Sequence, residues 1–251
     1  MKRLCLCMLG LLLALGSCEG EREDYRIARD PEWFPLDFIG RENNVLAFSD
    51  GLITEIAKIE EFRVSLFPAG WVSLQEELAK GRVEGILTSI PPTPPYRRLY
   101  DFSDVYLYVG PVLVVPEGAP VTSLDDMKGK MVGVLPGSPA MIVASRIPDV
   151  VIVDYMSLPL ALAACARGQI DGVMMERLPA LAYVRDIYHG ELKVATPPLT
   201  DEGLRLAVLR GKNRELIDRF NRGLEKLIAN STYNALQKKW GLYLDLGPAR
   251  N

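Results

Sequence analysis

The sequence predicts an α/β protein made of two similar halves, each a sheet of largely parallel strands with helices on its faces. Two observations carry that prediction. Short β-rich runs alternate with segments of helical spacing along most of the chain, and one helix–strand unit occurs once in each half. Alternation of this kind is the pattern of parallel strands joined by helical crossovers. The composition agrees: 251 residues, 49% hydrophobic and 24% charged, can bury a substantial core, so disorder is not expected. The 21 glycines and 18 prolines are scattered and not pooled, so any two halves are joined by short crossings and not by a flexible tether.

The first eighteen residues are of a different kind. A basic start, MKR, leads into LCLCMLGLLLALGSC, an apolar run too short for a stop-transfer helix, which is the form of an export signal. Its end, Leu15-Gly16-Ser17-Cys18, resembles a bacterial lipobox, in which the cysteine is acylated and becomes the new N-terminus. The alternative is an ordinary signal peptide cut at a small residue. The expected division is a signal peptide over 1–17 and a lipid-attached tether over 18–24.

Beyond the tether, strands are expected at YRIARD (25–30), FRVSLFPA (62–69), VEGILTSI (83–90), KMVGVLPG (130–137), DVVIVDY (149–155) and IDGVMME (170–176), each β-rich and bounded by turn residues. Helices are expected at GLITEIAKI (51–59), SLQEELAKG (73–81), AMIVASRI (140–147) and SLPLALAACARG (157–168), and the chain closes with two amphipathic helices over 213–230 and 231–241. The internal echo lies between SLQEELAKGRVEGILTS (73–89) and SLPLALAACARGQIDGVMME (157–176). Both give a serine N-cap, a helix, a glycine stop and a strand that opens with an acid and Gly. In parallel sheets Thr88, Ser89 and Glu176 then fall at strand carboxyl ends, where open α/β folds bind ligands. Two such ends facing one another make a cleft.

Several chemistries find no support. Removal of residues 1–17 deletes Lys2 and Arg3 and no acid, leaving 27 basic against 32 acidic residues, net −5, which argues against a nucleic-acid partner. Cys18 and Cys165 are then the remaining cysteines; with Cys18 lipidated, Cys165 has no disulfide partner in the chain and is expected to be a small buried apolar side chain. With His189 the single histidine, no metal site, no catalytic triad and no cofactor are expected.

Taken together, WFPLDF (33–38), AFSDGLITEIAK (47–58), GWVSLQEELAKGRVEGI (70–86), RRLYDFSDVY (97–106), SLDDMKGKMVGVLPGS (123–138), the 157–176 unit and STYNALQKKWG resemble the bacterial extracellular solute-binding proteins of family 3, the amino-acid-binding components of ABC importers. The resemblance runs from Tyr25 to Leu242. It implies the type II periplasmic-binding-protein fold: two α/β lobes with parallel-rich sheets, joined by two hinge strands, closing on a ligand between them. Lobe 1 is expected over 25–110 plus 203–251 and lobe 2 over 111–202.

The resemblance also implies a binding pattern. Trp33 and Trp71 fall on two aromatic positions that sandwich the ligand side chain, although a tryptophan is in general more often core than ligand contact. Glu176 falls on the acid that meets the ligand ammonium, one methylene longer than the usual Asp. The carboxylate clamp departs from the pattern. In TSIPPTPPYRRLYDFSDVY (88–106) the loop donor falls on Pro91 and the arginine on Tyr96, and the last turn position of lobe 2 falls on Pro139. A proline has no N–H to donate. Ser138 remains as a cap that leaves the N–H groups of Ala140 and Met141 at a helix start. Arg97 is a substitute for the absent arginine, or else, with Arg98, one of a solvated pair.

The expected protein is a solute receptor and not an enzyme: a monomeric lipoprotein of the periplasm or cell surface, held to the membrane by its lipid. Its partners are a small-molecule ligand and an ABC permease and ATPase. The weakened clamp suggests a non-standard ligand such as a peptide or amine. Two alternatives are a dehydratase acting on cyclohexadienyl acids on the same fold, with Glu176 as general acid, and a sensory or surface-interaction protein.

Overall fold

The computed structural model describes residues 23–34, 36 and 38–244. The expected signal peptide and Cys18 lie outside the described residues.

The first half begins with β1 (Asp24–Arg29), α1 (Glu42–Ile59), β2 (Arg63–Pro68), α2 (Trp71–Ala79) and β3 (Gly85–Thr88). It continues through a one-turn α3 (Pro94–Arg97), β4 (Tyr100–Phe102) and β5 (Leu107–Tyr108). The second half contains β6 (Pro111–Pro116), β7 (Met131–Val134), α4 (Pro139–Ala144), β8 (Val151–Asp154) and α5 (Leu158–Ala166). It ends with β9 (Gly172–Glu176), α6 (Arg177–Asp186) and β10 (Leu192–Val194). The chain then returns through β11 (Gly203–Leu209) to α7 (Arg214–Ala229) and α8 (Thr232–Lys239).

Two sheets result. One has the order β2-β1-β3-β11-β4, with β5 also on β11; the other has the order β10-β6-β9-β7-β8. Within each helix–strand unit the pairing is parallel, β1 with β2 and β3, β7 with β8 and β9. The sheets are nonetheless mixed. β11 runs antiparallel to β3, β4 and β5, and β6 runs antiparallel to β9 and β10, because a strand that has just crossed between the halves enters its sheet from the opposite end. The first sheet takes its strands from 24–108 and 203–209, the second from 111–194. The two crossings touch: the Val109 N–H donates to Glu202 O at 3.0 Å and the Leu199 N–H to Pro111 O at 2.8 Å.

Each sheet is covered on both faces, as strand alternation allows. On β11, Leu204, Leu206 and Val208 join the core under α1 and α7, while Ala207 joins a separate cluster with Ala28, Leu74, Leu78 and Ile86 under α2. α1 supplies Val45, Phe48, Leu52, Ile53 and Ile56, and α7 supplies Leu216, Ile217, Phe220, Leu224 and Leu227, one apolar stripe each at helical spacing. At about 1.5–3 kcal/mol for each buried large apolar side chain, these stripes dominate the stability of the first half. In the second half, α5 and α6 cover one sheet face and α4 the other.

The internal echo is present as two equivalent corners, α2–β3 and α5–β9. Gly81 and Gly168 end the helices in the left-handed region, at φ +67° and +69°, which a side chain at either site would strain. The serines differ from expectation. Ser157 is the N-cap of α5, but its side chain makes no capping bond, and α2 starts at Trp71 behind Gly70, so Ser73 lies inside the helix. Gly70 holds the extended conformation of an N-cap residue and lets the helix begin two residues earlier.

Candidate ligand-binding cleft

The carboxyl ends of β1, β2 and β3 bring together three segments of the first half. β1 runs into the loop that carries Trp33 and Phe34, β2 leads to Trp71 at the start of α2, and β3 ends at Thr88. Thr88 is buried, and its Oγ1 accepts the Ile90 N–H at 3.1 Å, which fixes the turn out of the strand. Ser89 Oγ donates to Phe34 O at 3.0 Å and ties the 88–90 turn to the β1 loop.

The aromatic pair is not the one expected. Trp33 is 1% exposed and packs in the core under α1 with Phe38, Val45 and Phe48, its Nε1 without a partner. The cause is local: at Trp33 the backbone turns left-handed, φ +56°, and both oxygens of buried Asp30 are spent on the N–H groups of Glu32 and Phe34. The turn directs Trp33 inward and leaves Phe34 55% exposed, edge-on to Trp71 with ring centroids 5.7 Å apart. On this side Phe34 is therefore exposed, against a half-buried Trp71.

The second half contributes Glu176, the last residue of β9, paired in register with Pro111 beside the first crossing. Its carboxylate has no hydrogen-bond or ion-pair partner among the described residues, whereas the next residue is firmly held. Arg177 is buried, and its guanidinium donates to Tyr108 O and Leu242 O, both at 2.7 Å. Leu178 packs into the core of the first half. Glu176 thus stands at the seam between the halves on an anchored backbone. Glu202, on the second crossing, is close enough that partial burial and then the charge of Glu176 raise its carboxyl pKa.

At the expected clamp positions the structure offers little. Pro91 is exposed, and Tyr96 packs with Trp71 against the cluster under α2. Arg97 donates from Nε to Pro92 O at 2.6 Å and lines a surface hollow with Asp101, Arg210 and Asp218, so it is pinned to its own loop. Ser138 caps α4, but its Oγ accepts the Met141 N–H at 3.2 Å, which removes one of the two free donors expected there; Pro139 follows as the first residue of that helix. One residue was missed altogether in the sequence: Arg205 on β11, buried and directly across from Thr88. Its signal was a lone charge inside GLRLAVL.

No group of three or more His, Cys, Asp or Glu that could hold a metal occurs among the described residues. Burial pushes the Cys165 thiol up to about 12, far from any reactive range.

Two mixed sheets, each flanked by helices and joined by paired crossings, make the two-lobed fold of type II periplasmic-binding proteins. The chain belongs to the bacterial extracellular solute-binding proteins, family 3, whose model matches residues 25–243. It is 27% identical over 245 residues to a Neisseria gonorrhoeae protein named "Probable histidine-binding protein", covering 91% of each chain. It is 24% identical over 246 residues to the "ABC transporter arginine-binding protein 1" of Escherichia coli K12, covering 96% of this chain and 99% of that one. Among solved structures, the L-cystine solute receptor of Neisseria gonorrhoeae in its unliganded open conformation superposes with a TM-score of 0.70 at 19% identity, over 88% of this chain and 94% of that one, which is a likeness of fold. As a family member the protein is the solute-binding component of an ABC importer and not an enzyme. It works outside the cytoplasm, with a small solute as ligand and a permease and ATPase as partners.

Proposed function

We propose that the protein is a lipid-anchored receptor that captures an amino-acid-like solute between its two lobes, 25–110 plus 203–251 and 111–202, and delivers it to a permease. What supports this reading is the Glu176 carboxylate, without a partner among the described residues at the end of β9, together with the Phe34–Trp71 pair at the carboxyl ends of β1 and β2 in the other half. A carboxylate next to aromatic faces suits a ligand with an ammonium group and an apolar or cationic body. Thr88 and Ser89 fix the turn after β3 and tie it to the loop that carries Phe34. Because Pro91, Tyr96 and Pro139 stand where the family's donors are expected, the ligand is a non-standard one, such as a short peptide or an amine.

Anchoring is through acylated Cys18, and two or more acyl chains hold a protein stably where a single chain is marginal. Metabolic labelling with a radioactive fatty acid tests it. Label and membrane association are expected in the wild type and absent in Cys18→Ala; a labelled, membrane-bound Cys18→Ala protein would refute the anchor. The binding role is tested by thermal shift against solute panels, where Glu176→Ala and Trp71→Ala should each suppress the ligand-dependent rise seen in the wild type.

A further inference from the structure

Arg205 is a buried cation on β11. Along β11 its neighbours Leu204 and Leu206 enter the core under α1 and α7, so Arg205 points to the other face, the one on which Trp71 and Tyr96 pack. It pairs in register with Thr88, the residue that ends β3 at the cleft. Thr88 leads into Ser89, which is bonded to the carbonyl of Phe34, so Arg205 adjoins the same cluster as the aromatic pair.

Its environment is unusual for an arginine that is 7% exposed. It forms no ion pair among the described residues. Its guanidinium bonds only two main-chain carbonyls, Asp201 O at 2.9 Å and Gly203 O at 3.4 Å, on the second crossing. A guanidinium has five N–H donors. Among the described residues Nε has no partner, and unlike Nε of Arg177 it is not one of the fully buried unpartnered atoms. Burial lowers the Arg205 pKa; the carboxylates of Asp201 and Asp104 favour its charge from a distance and Arg97 opposes it. A buried charge with no counter-ion is costly unless an anion arrives to pair with it. Two carbonyl bonds suffice to orient the fork, but they do not neutralise it.

We propose that Arg205 supplies, from β11, the anion-gripping guanidinium absent at Tyr96, so that the solute carries a free carboxylate seated beside Thr88. The inference rests on the receptor reading and decides between its two ligand classes: a short peptide or other carboxylate-bearing solute, and not a simple amine. A planar fork favours bidentate pairing with a carboxylate.

The test is calorimetry with the twenty amino acids, a dipeptide panel, the C-terminal amide of each, and putrescine and tyramine as plain amines. The tightest wild-type binders should be free acids, with their amides weaker by about 10- to 150-fold, the loss of one charge-assisted hydrogen bond. That acid-over-amide gap should vanish in Arg205→Met and persist in Trp71→Ala, which weakens acid and amide alike; a merely structural role for Arg205 would leave the gap in place. Should Arg205→Met fail to fold, Arg205→Lys keeps the charge and loses the fork, and the gap should narrow. Amides or amines binding within about threefold of the acids, or a gap unchanged in either Arg205 variant, would overturn the proposal while the receptor reading stands. Wild-type protein that binds none of the panel would overturn both.

Discussion

Gly203 opens β11 where the return crossing meets the first, opposite Tyr108 of β5. A Cβ on this residue would lie 2.3 Å from Val105 Cγ1 and 2.6 Å from Leu107 O. The valine methyl can rotate away, but the carbonyl belongs to the backbone of β5 and moves only if β5 and β11 separate. In Gly203→Ala, overpacking of this kind costs about 1–3 kcal/mol, and weakening the two-residue pairing of Gly203 with Tyr108 and Leu204 with Leu107 costs about 1 kcal/mol per hydrogen bond lost. The expected destabilisation is about 2–5 kcal/mol. For a chain of this size each kcal/mol lowers the melting temperature by about 2–4 °C, so calorimetry should show a drop of about 4–20 °C. Gly118→Ala is the control, since a Cβ there meets nothing within 4 Å, and it should leave the melting temperature unchanged or slightly raised. A Gly203→Ala protein melting within about 2 °C of wild type would refute the claim that the crossings are packed backbone to backbone.

The same geometry sets other outcomes. Arg177→Met leaves two main-chain carbonyls at the seam without their donor and should cost about 2–4 kcal/mol in urea unfolding. Trp71→Ala should lower ligand-free stability by no more than about 1–3 kcal/mol, while removing most of the ligand-induced thermal shift; outright unfolding would make Trp71 a core residue. The Glu202 carboxyl is raised by burial and by Glu176, so the folded state favours its protonated form, and that contribution is present below the unfolded pKa and lost as pH rises through the raised one. Glu202→Gln should therefore melt above wild type at pH 7 and level with it at pH 3. In protein produced from residue 23 onward, Cys165 should resist thiol reagents at pH 8 and react once the chain is unfolded in urea.

The elements legible in the sequence were those whose signal is local. Strands β1, β2, β3, β7, β8 and β9 and helices α7 and α8 coincide with their expected segments to within a few residues, because alternation, helical stripes and stop glycines act over one element. The crossing strands escaped notice for a physical reason. PVLVVP (111–116) and GLRLAVL (203–209) are buried on both faces, so they lack alternation, and only the resemblance implied that hinge strands exist. α1 was foreseen from residue 51, yet it begins at Glu42, since its first two turns are poorly patterned. That Thr88, Ser89 and Glu176 fall at strand carboxyl ends could be read from the internal echo alone. The burial of Trp33 could not: one left-handed residue turns Trp33 into the core and leaves Phe34 outside, and pattern reading does not see that backbone turn. Arg205 was hidden by its strand, whose apolar neighbours advertise core.

In the proposed mode of capture a small solute is held between the lobes by Trp71 and Glu176. Native mass spectrometry of protein purified gently from its host, wild type beside the Trp71→Ala, Glu176→Ala double variant, tests it directly. A small-molecule adduct is expected on the wild type and absent from a folded double variant; an adduct retained by the double variant, or a wild type that carries none and gains none on incubation with host extract, would contradict the claim.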